Sequence, residues 1–250
     1  MPEQSIGWIV PDWPAPASVH AGTTTRQGGV SQVPYDSLNL GDHVSDDPKA
    51  VARNRQSLKQ HRNLPAEPLW LQQVHGIEVV DAACCRAVPE ADASFTCRSG
   101  IVCAVMTADC LPVLLCDEGG SVVAAAHAGW RGLLDGVIEA TVMGMEVPAA
   151  RLMAWLGPAI GPTAFEVGDE VREQFMAVDA QAVQAFQPSP NGRWLADIYK
   201  LARQRLASSG VEQVYGGHWC TFTDKQRFYS YRRDGVTGRM ASLIWLDQAG

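Results

Sequence analysis

Three apolar runs follow one another closely at residues 101–107, 112–116 and 121–127, rich in Val, Ala and Cys and without one charged side chain. Runs of this length, bounded by short turns, are the pattern of strands covered on both faces, and their spacing predicts neighbours in one buried sheet. Such a sheet needs layers on either side, so the flanking segments have to cover it. Cys110 falls between the first two runs and His127 closes the third, which puts both at strand ends, where a rigid sheet holds a side chain in place.

Around this centre the pattern alternates strands and helices. Residues 19–25 read as a short strand that ends at Arg26, with a turn at Gly28 and Gly29. A helix is expected over 48–61, opened by Pro48 behind a cap at Asp46 or Asp47. Residues 70–74 and 77–80 read as two strands, or one bent strand, with His75 and Gly76 at the bend. After His127 a glycine turn leads into Leu133, Leu134, Val137, Ile138, Thr141, Val142 and Met145, the stripe of one helix. Backbone N–H groups at its start, the small Gly129 and Gly132 and the cation of Arg131 make an anion site; the glycines serve equally to pack helix on strand. Further on, a strand is expected over 151–156, a rigid turn over 157–162 and a helix over 169–178. An exposed loop at 186–194, a helix over 195–206 and a final strand at 241–246 complete the reading.

His75, Cys110 and His127 are two imidazoles and a thiol, borderline-soft donors that suit Zn²⁺. Three protein ligands leave a fourth position open, which is the arrangement of a catalytic zinc. Their wide separation in sequence also sets them apart from structural sites, whose ligands come in close pairs. Taken singly, each side chain has an ordinary reading, as a hydrogen-bonded His or a small buried hydrophobe.

At 250 residues with 46% hydrophobic content the chain can bury one substantial core, and one domain over 1–250 is expected. Its net charge of -7 gives no basic field for nucleic acid or an anionic membrane. Seven cysteines, an odd number lying mostly within apolar runs, point to the cytoplasm rather than to a disulfide framework. The N-terminus lacks the basic start of a signal peptide, and no uncharged run is long enough to span a bilayer.

Six motifs in order carry a family resemblance: Thr-Thr-Arg-Gln-Gly-Gly-Val-Ser (24–31), Gln-Val-His-Gly (73–76), Thr-Ala-Asp-Cys (107–110), Ala-His-Ala-Gly-Trp-Arg-Gly (126–132), Gly-Pro-Ala-Ile-Gly (157–161) and Phe-Tyr-Ser-Tyr-Arg-Arg-Asp-Gly (228–235). Over nearly its whole length the chain resembles the YfiH-type laccase-domain family. That resemblance implies His75, Cys110 and His127 as zinc ligands. It also implies a mixed α/β fold with α/β/β/α layers, similar to the catalytic domain of cytotoxic necrotizing factors, which are cysteine hydrolases. Members have been described as multicopper polyphenol oxidases, and as purine nucleoside phosphorylases acting on adenosine, inosine and methylthioadenosine, with adenosine deaminase activity.

Chemistry chooses among these. A laccase needs many histidines beyond one His₂Cys set, and this chain has six in all, so copper at the one site is adventitious. Phosphorolysis needs a phosphate site and a means of stabilising the departing purine. Arg26, Arg131 and Arg232 are the candidate phosphate contacts, and Cys110, His127 and Arg131 the candidate catalytic group. The usual deaminase signature is absent, so deamination would share the zinc site in another way. Cys110 and His127 as nucleophile and base of a cysteine hydrolase is the third reading. Asp92, Asp109 and Glu166 are candidate carboxylates around the ligands. Nucleoside and phosphate are the expected partners, with oligomeric state open.

Overall fold

The computed structural model describes residues 5–247. In chain order these form β1 (Trp8–Ile9), β2 (Val19–Thr24), α1 (Pro48–His61), β3 (Val79–Asp81), β4 (Ala93–Thr96), β5 (Val102–Thr107), β6 (Leu111–Asp117) and β7 (Val123–Ala128). There follow α2 (Trp130–Asp135), α3 (Val137–Gly144), β8 (Leu152–Leu156), β9 (Glu166–Val167), α4 (Asp169–Val178), β10 (Phe186–Pro188) and β11 (Trp194–Ala196). The last are α5 (Ile198–Ser208), β12 (Gln213–Gly216), α6 (Tyr231–Asp234) and β13 (Met240–Leu246). No helix among the described residues is long and apolar enough to cross a membrane, and all seven cysteines are free thiols.

Two sheets lie face to face. One has the order β12-β8-β6-β7-β4-β3 and mixes parallel and antiparallel pairs; the other is β1-β2-β13-β5, all antiparallel. Successive side chains of a strand point to opposite faces, and here each face has its own partner. In the six-stranded sheet, Leu111, Val113, Leu115, Ala124 and Ala126 face a core shared with Leu133, Ile138 and Leu201 of the helices. Leu114, Cys116, Val123 and Ala125 turn the other way, onto Cys103, Val105, Ile244 and Leu246 of the second sheet. That sheet's remaining face, Val102, Ala104, Ala241 and Leu243, meets Leu58 of α1. The layers are therefore α/β/β/α. Burial of each such Leu or Val contributes about 1.5–3 kcal/mol, so this repeated alternation holds the sandwich together more than any single hydrogen bond.

Several expectations are corrected. The three apolar runs do not share a sheet: β5 pairs with β13, while β6 and β7 pair with each other. Residues 108–110 carry the chain from one sheet to the other, with Asp109 in the left-handed region at φ 88. A run buried on both faces carries no mark of which strand lies beside it. The stripe from Leu133 to Met145 is two helices, broken at Gly136, whose φ is 109. The break leaves Leu133, Val137, Ile138 and Val142 on one core, so the periodicity does not betray it.

The expected loop at 186–194 is instead a hairpin, β10 with β11, extended by β9. Its second strand delays α5 to Ile198, where Asp197 accepts from the Lys200 N–H. Of residues 70–80 only the end is a strand; the earlier part is held by isolated bridges from Leu69 to Cys103 and from Gln72 to Glu90. Pro48 does open α1, and of the two candidate caps Asp47 takes the role. Asp46 accepts instead from Ser31 and Asn39.

Candidate metal centre and its cavity

β6 and β7 are antiparallel, with Leu111 opposite Ala128 and Pro112 opposite His127. The start of one strand therefore meets the end of the other, and Cys110 and His127 come together at that end of the sheet. His75 arrives from a turn, with φ at 63. Its Nε2 lies 3.9 Å from Cys110 Sγ, and its ring meets that of His127 edge-on at 4.8 Å. One donor atom from each of the three lies within 4.8 Å of the others. Exposure falls from His75 through Cys110 to His127, so the group opens to solvent on the His75 side.

One carboxylate organises the turn and the strand end together. Asp92, fully buried just before β4, accepts from the N–H groups of Val74, His75 and Gly76 at 3.1, 3.0 and 2.7 Å. It also lies 2.7 Å from His127 Nδ1. An ionised carboxylate only accepts, so Nδ1 carries the proton and Nε2 is left as the donor to a metal. Burial pushes the Asp92 carboxyl up, but the bonds from His127 and the backbone outweigh it and hold it below its ordinary value.

Gly129 explains the glycine after His127. A Cβ there would stand 3.0 Å from His75 Cδ2 and 3.1 Å from Cys110 Sγ, crowding both, and in ordinary contact with His127 Cε1 at 3.6 Å. At Gly132 a Cβ would lie 2.8 Å from the Gly76 carbonyl, so α2 packs directly on the His75 turn. Both glycines of the motif serve close approach.

Charge favours metal binding. Burial raises the Cys110 thiol, yet His127 and His75 overcome it and bring it down to about 6. Burial lowers His127, yet the Cys110 thiolate and Asp92 overcome it and lift it to about 9, so without a metal the two form a thiolate–imidazolium pair, and a metal taking Nε2 displaces its proton. Thiolate is the form that binds a metal, and the donor set of two imidazoles and one thiolate fits zinc or copper.

The group opens into a cavity of about 250 Å³. Its walls hold two kinds of surface: the apolar Trp130, Ile160, Phe165 and Ile198, and the guanidiniums of Arg131 and Arg232. Arg131 lies 4.3 Å over the Trp130 ring. Arg232 donates from Nη1 to the Glu166 carbonyl and lies 5.6 Å over Phe165. Asp109 also lines the space, its oxygens accepting from Thr221, Ser230 and the Arg232 N–H.

Two candidates lie elsewhere. Arg26 lines a separate cavity, where it pairs with Asp36 at 3.1 Å and covers the Tyr229 ring. The Glu166 side chain is taken by Ser189 and Asn191. Ile160 and Ile198 help form the apolar wall; in the sequence Ile198 reads only as part of a helix's apolar face and Ile160 only as part of a turn motif, since neither position carries a sign of lining a cavity.

Comparison with known proteins places this architecture. The family model "Multi-copper polyphenol oxidoreductase laccase" matches residues 20–247. A protein of Pseudomonas aeruginosa named purine nucleoside phosphorylase is 60% identical over 240 residues, covering 96% of this chain and 98% of its own. Purine nucleoside phosphorylase YfiH of Escherichia coli is 59% identical, with 95% and 98% covered. The crystal structure of a Neisseria meningitidis protein superposes with a TM-score of 0.94 at 53% identity, over 97% of this chain and 100% of that one. YlmD from Geobacillus stearothermophilus superposes with a TM-score of 0.87 at 29% identity, over 97% of both.

Proposed function

The chain belongs to the multi-copper polyphenol oxidoreductase laccase family, and from that membership we propose that it is a purine nucleoside phosphorylase. It cleaves adenosine, inosine and methylthioadenosine with phosphate around a zinc ion held by His75, Cys110 and His127. The observation that carries this reading is the cavity's pairing of an apolar wall with two guanidiniums, directly beside the three donors. A flat purine suits the wall of Trp130, Phe165, Ile160 and Ile198, and an anionic nucleophile suits the guanidiniums. Relatives at 60% and 59% identity bear the name of this activity.

The parts divide the work. Asp92 keeps the proton of His127 on Nδ1 and fixes the ring plane, so the donors do not rearrange during turnover. Arg131 and Arg232, exposed at the mouth, draw phosphate in. Trp130 and Phe165 shield the base from water. When bound, the ion supplies Lewis acidity to the group that accumulates charge, and the same acidity suits removal of the adenine amino group by water. The expected setting is the cytoplasm, with small-molecule partners.

An oxidase with several coppers finds little support. Among the described residues, one group of three or more metal-capable side chains occurs. His20 is bound to Asp247, His43 lies beside Asp42, His61 is bound to the Ser57 carbonyl and His218 stacks on Trp219. Copper at the His₂Cys group is an adventitious occupant. A second reading, a cysteine hydrolase, draws on the series Cys110, His127, Asp92, in which a thiolate, a base and an orienting carboxylate follow one another.

The test is phosphate-dependent release of hypoxanthine from inosine by zinc-loaded, copper-free protein, beside Cys110→Ala. Release that needs phosphate and is lost in the variant supports the phosphorylase. No release, with amide hydrolysis by chelator-treated protein that thiol alkylation abolishes, moves the hydrolase forward.

A further inference from the structure

One further arginine, outside the motifs, precedes the strand that pairs with the one leading to Cys110. Arg239 precedes β13, whose register pairs Met240 with Thr107. Ala108, which follows Thr107, is a cavity-lining residue two positions before Cys110. Its N–H donates to Asn39 Oδ1 at 2.9 Å and its carbonyl accepts from the Leu40 N–H at 3.2 Å. Nη1 donates to the carbonyls of Thr237 and Gly238 at 2.9 and 3.0 Å. Gly41 makes room for the stem: a Cβ there would lie 2.8 Å from Arg239 Cγ. Backbone, stem and one terminal nitrogen are all fixed.

What this guanidinium lacks is a counter-ion. Arg26, Arg55, Arg205 and Arg233 pair with Asp36, Asp42, Glu139 and Asp234. Arg239, half-buried, has no carboxylate of a described residue within ion-pair distance, and its Nε and Nη2 make no hydrogen bond to a described residue. Burial pulls its pKa below the ordinary arginine value, and the strongest opposing charges are Cys110 and Asp109. Neither is available as a partner. The Asp109 oxygens already accept from Thr221, Ser230 and Arg232, and Cys110 is one of the three grouped donors. A partly buried cation left without a pair is costly, and Nε with Nη2 is the edge of a guanidinium that grips two oxygens of an oxyanion.

We propose that Arg239 holds the inorganic phosphate co-substrate beside Cys110, gripping two of its oxygens through Nε and Nη2. This rests on the phosphorylase reading. Arg131 and Arg232 then attract the anion at the mouth, while Arg239 fixes where it stops. Gly41 and Asn39 are positioning residues, since they hold the arginine rather than touch substrate.

Titration of zinc-loaded protein with inorganic phosphate by calorimetry tests it, with zinc content and melting temperature measured in parallel. Arg239→Met weakens phosphate binding by about tenfold or more at unchanged zinc content, and Arg239→Lys, which keeps the charge and loses the fork, falls between. In turnover, both variants raise KM for phosphate and leave KM for inosine within about twofold. Should Arg239→Met fail to fold, Arg239→Lys and Gly41→Ala, which displaces the stem at full charge, carry the comparison. Phosphate affinity unchanged in these variants overturns the proposal, as does a wild-type protein that binds no phosphate. Phosphate binding that depends on Arg239, without phosphate-dependent hypoxanthine release, keeps the anion site and removes the phosphorylase.

Discussion

At the corner that groups His75, Cys110 and His127, Asp92 alone accepts four hydrogen bonds, and a methyl group at Gly129 would press on His75 and Cys110. At the mouth of the same cavity Arg131 has the face of Trp130 beneath it, and the Arg232 guanidinium makes one hydrogen bond, to the Glu166 carbonyl. The corner is fixed from several sides; the mouth is held by one or two contacts on each guanidinium. Donor atoms must keep their separations to within a fraction of an ångström for a metal to bind, while a charge that attracts an anion from solution acts over several ångströms and needs no such tolerance. The density of support thus separates groups that fix geometry from groups that only attract.

The largest effect expected is from the corner itself. Cys110→Ala removes one of three donors, and turnover falls by about a thousandfold or more, with metal content falling alongside; a variant that keeps both would dissolve the distinction. Asp92→Asn keeps the shape but replaces an acceptor by an amide, and costs about 10–100-fold in metal affinity, read by competition with a chelator. Gly129→Ala pushes a methyl group against His75 and Cys110, and about a tenfold loss of metal affinity follows, with little change in fold because the site lies at the sheet's end.

The pH dependence of chelator-treated protein probes the same corner. Cys110 sits at about 6 in the folded chain, below its unfolded value, so its contribution to stability is complete at alkaline pH and is lost as pH falls through about 6. His127 sits at about 9, above its unfolded value, so its contribution is complete in acid and is lost as pH rises through about 9. The pair contributes most between those limits. Peptide mapping after brief iodoacetamide treatment at pH 7 then finds Cys110 modified about tenfold faster than the exposed Cys84, whose thiol Asp81 raises. Equal rates would mean that the thiolate is not held. The smallest effect belongs to the mouth: Arg131→Gln raises KM for phosphate by about two- to fivefold and leaves kcat nearly unchanged.

The same contrast governs what the sequence disclosed. Gly129 marks His127 in the chain because a Cβ there would press on His75 and Cys110, whereas at Gly76 a Cβ would meet nothing closer than 3.6 Å. Cys110 lies in a connector of three residues between β5 and β6, so it stands at a strand end whichever sheets those strands join. The helices α1, α4 and α5 show in their apolar spacing. The partner of β5 did not show, because β13 lies more than a hundred residues away and a strand buried on both faces carries no pattern that selects it. Nor did the break at Gly136, since both helices bury one continuous stripe. The arginines were hardest. Arg26 stands in a glycine-marked motif yet pairs with Asp36, whereas Arg239, with one glycine before it, precedes the strand that pairs with β5.

The short crossover at 108–110 has a further consequence. Cys110 sits on it, and His75 sits on another passage between layers, since Leu69 bridges to Cys103 in the four-stranded sheet and β3 belongs to the six-stranded one. His127 is anchored in the six-stranded sheet alone. An ion held by these three donors would therefore tie the crossover, the His75 turn and the six-stranded sheet together at one point. Melting temperature against free metal concentration becomes a gauge of occupancy, rising by the logarithm of saturation as for any ligand that prefers the folded chain.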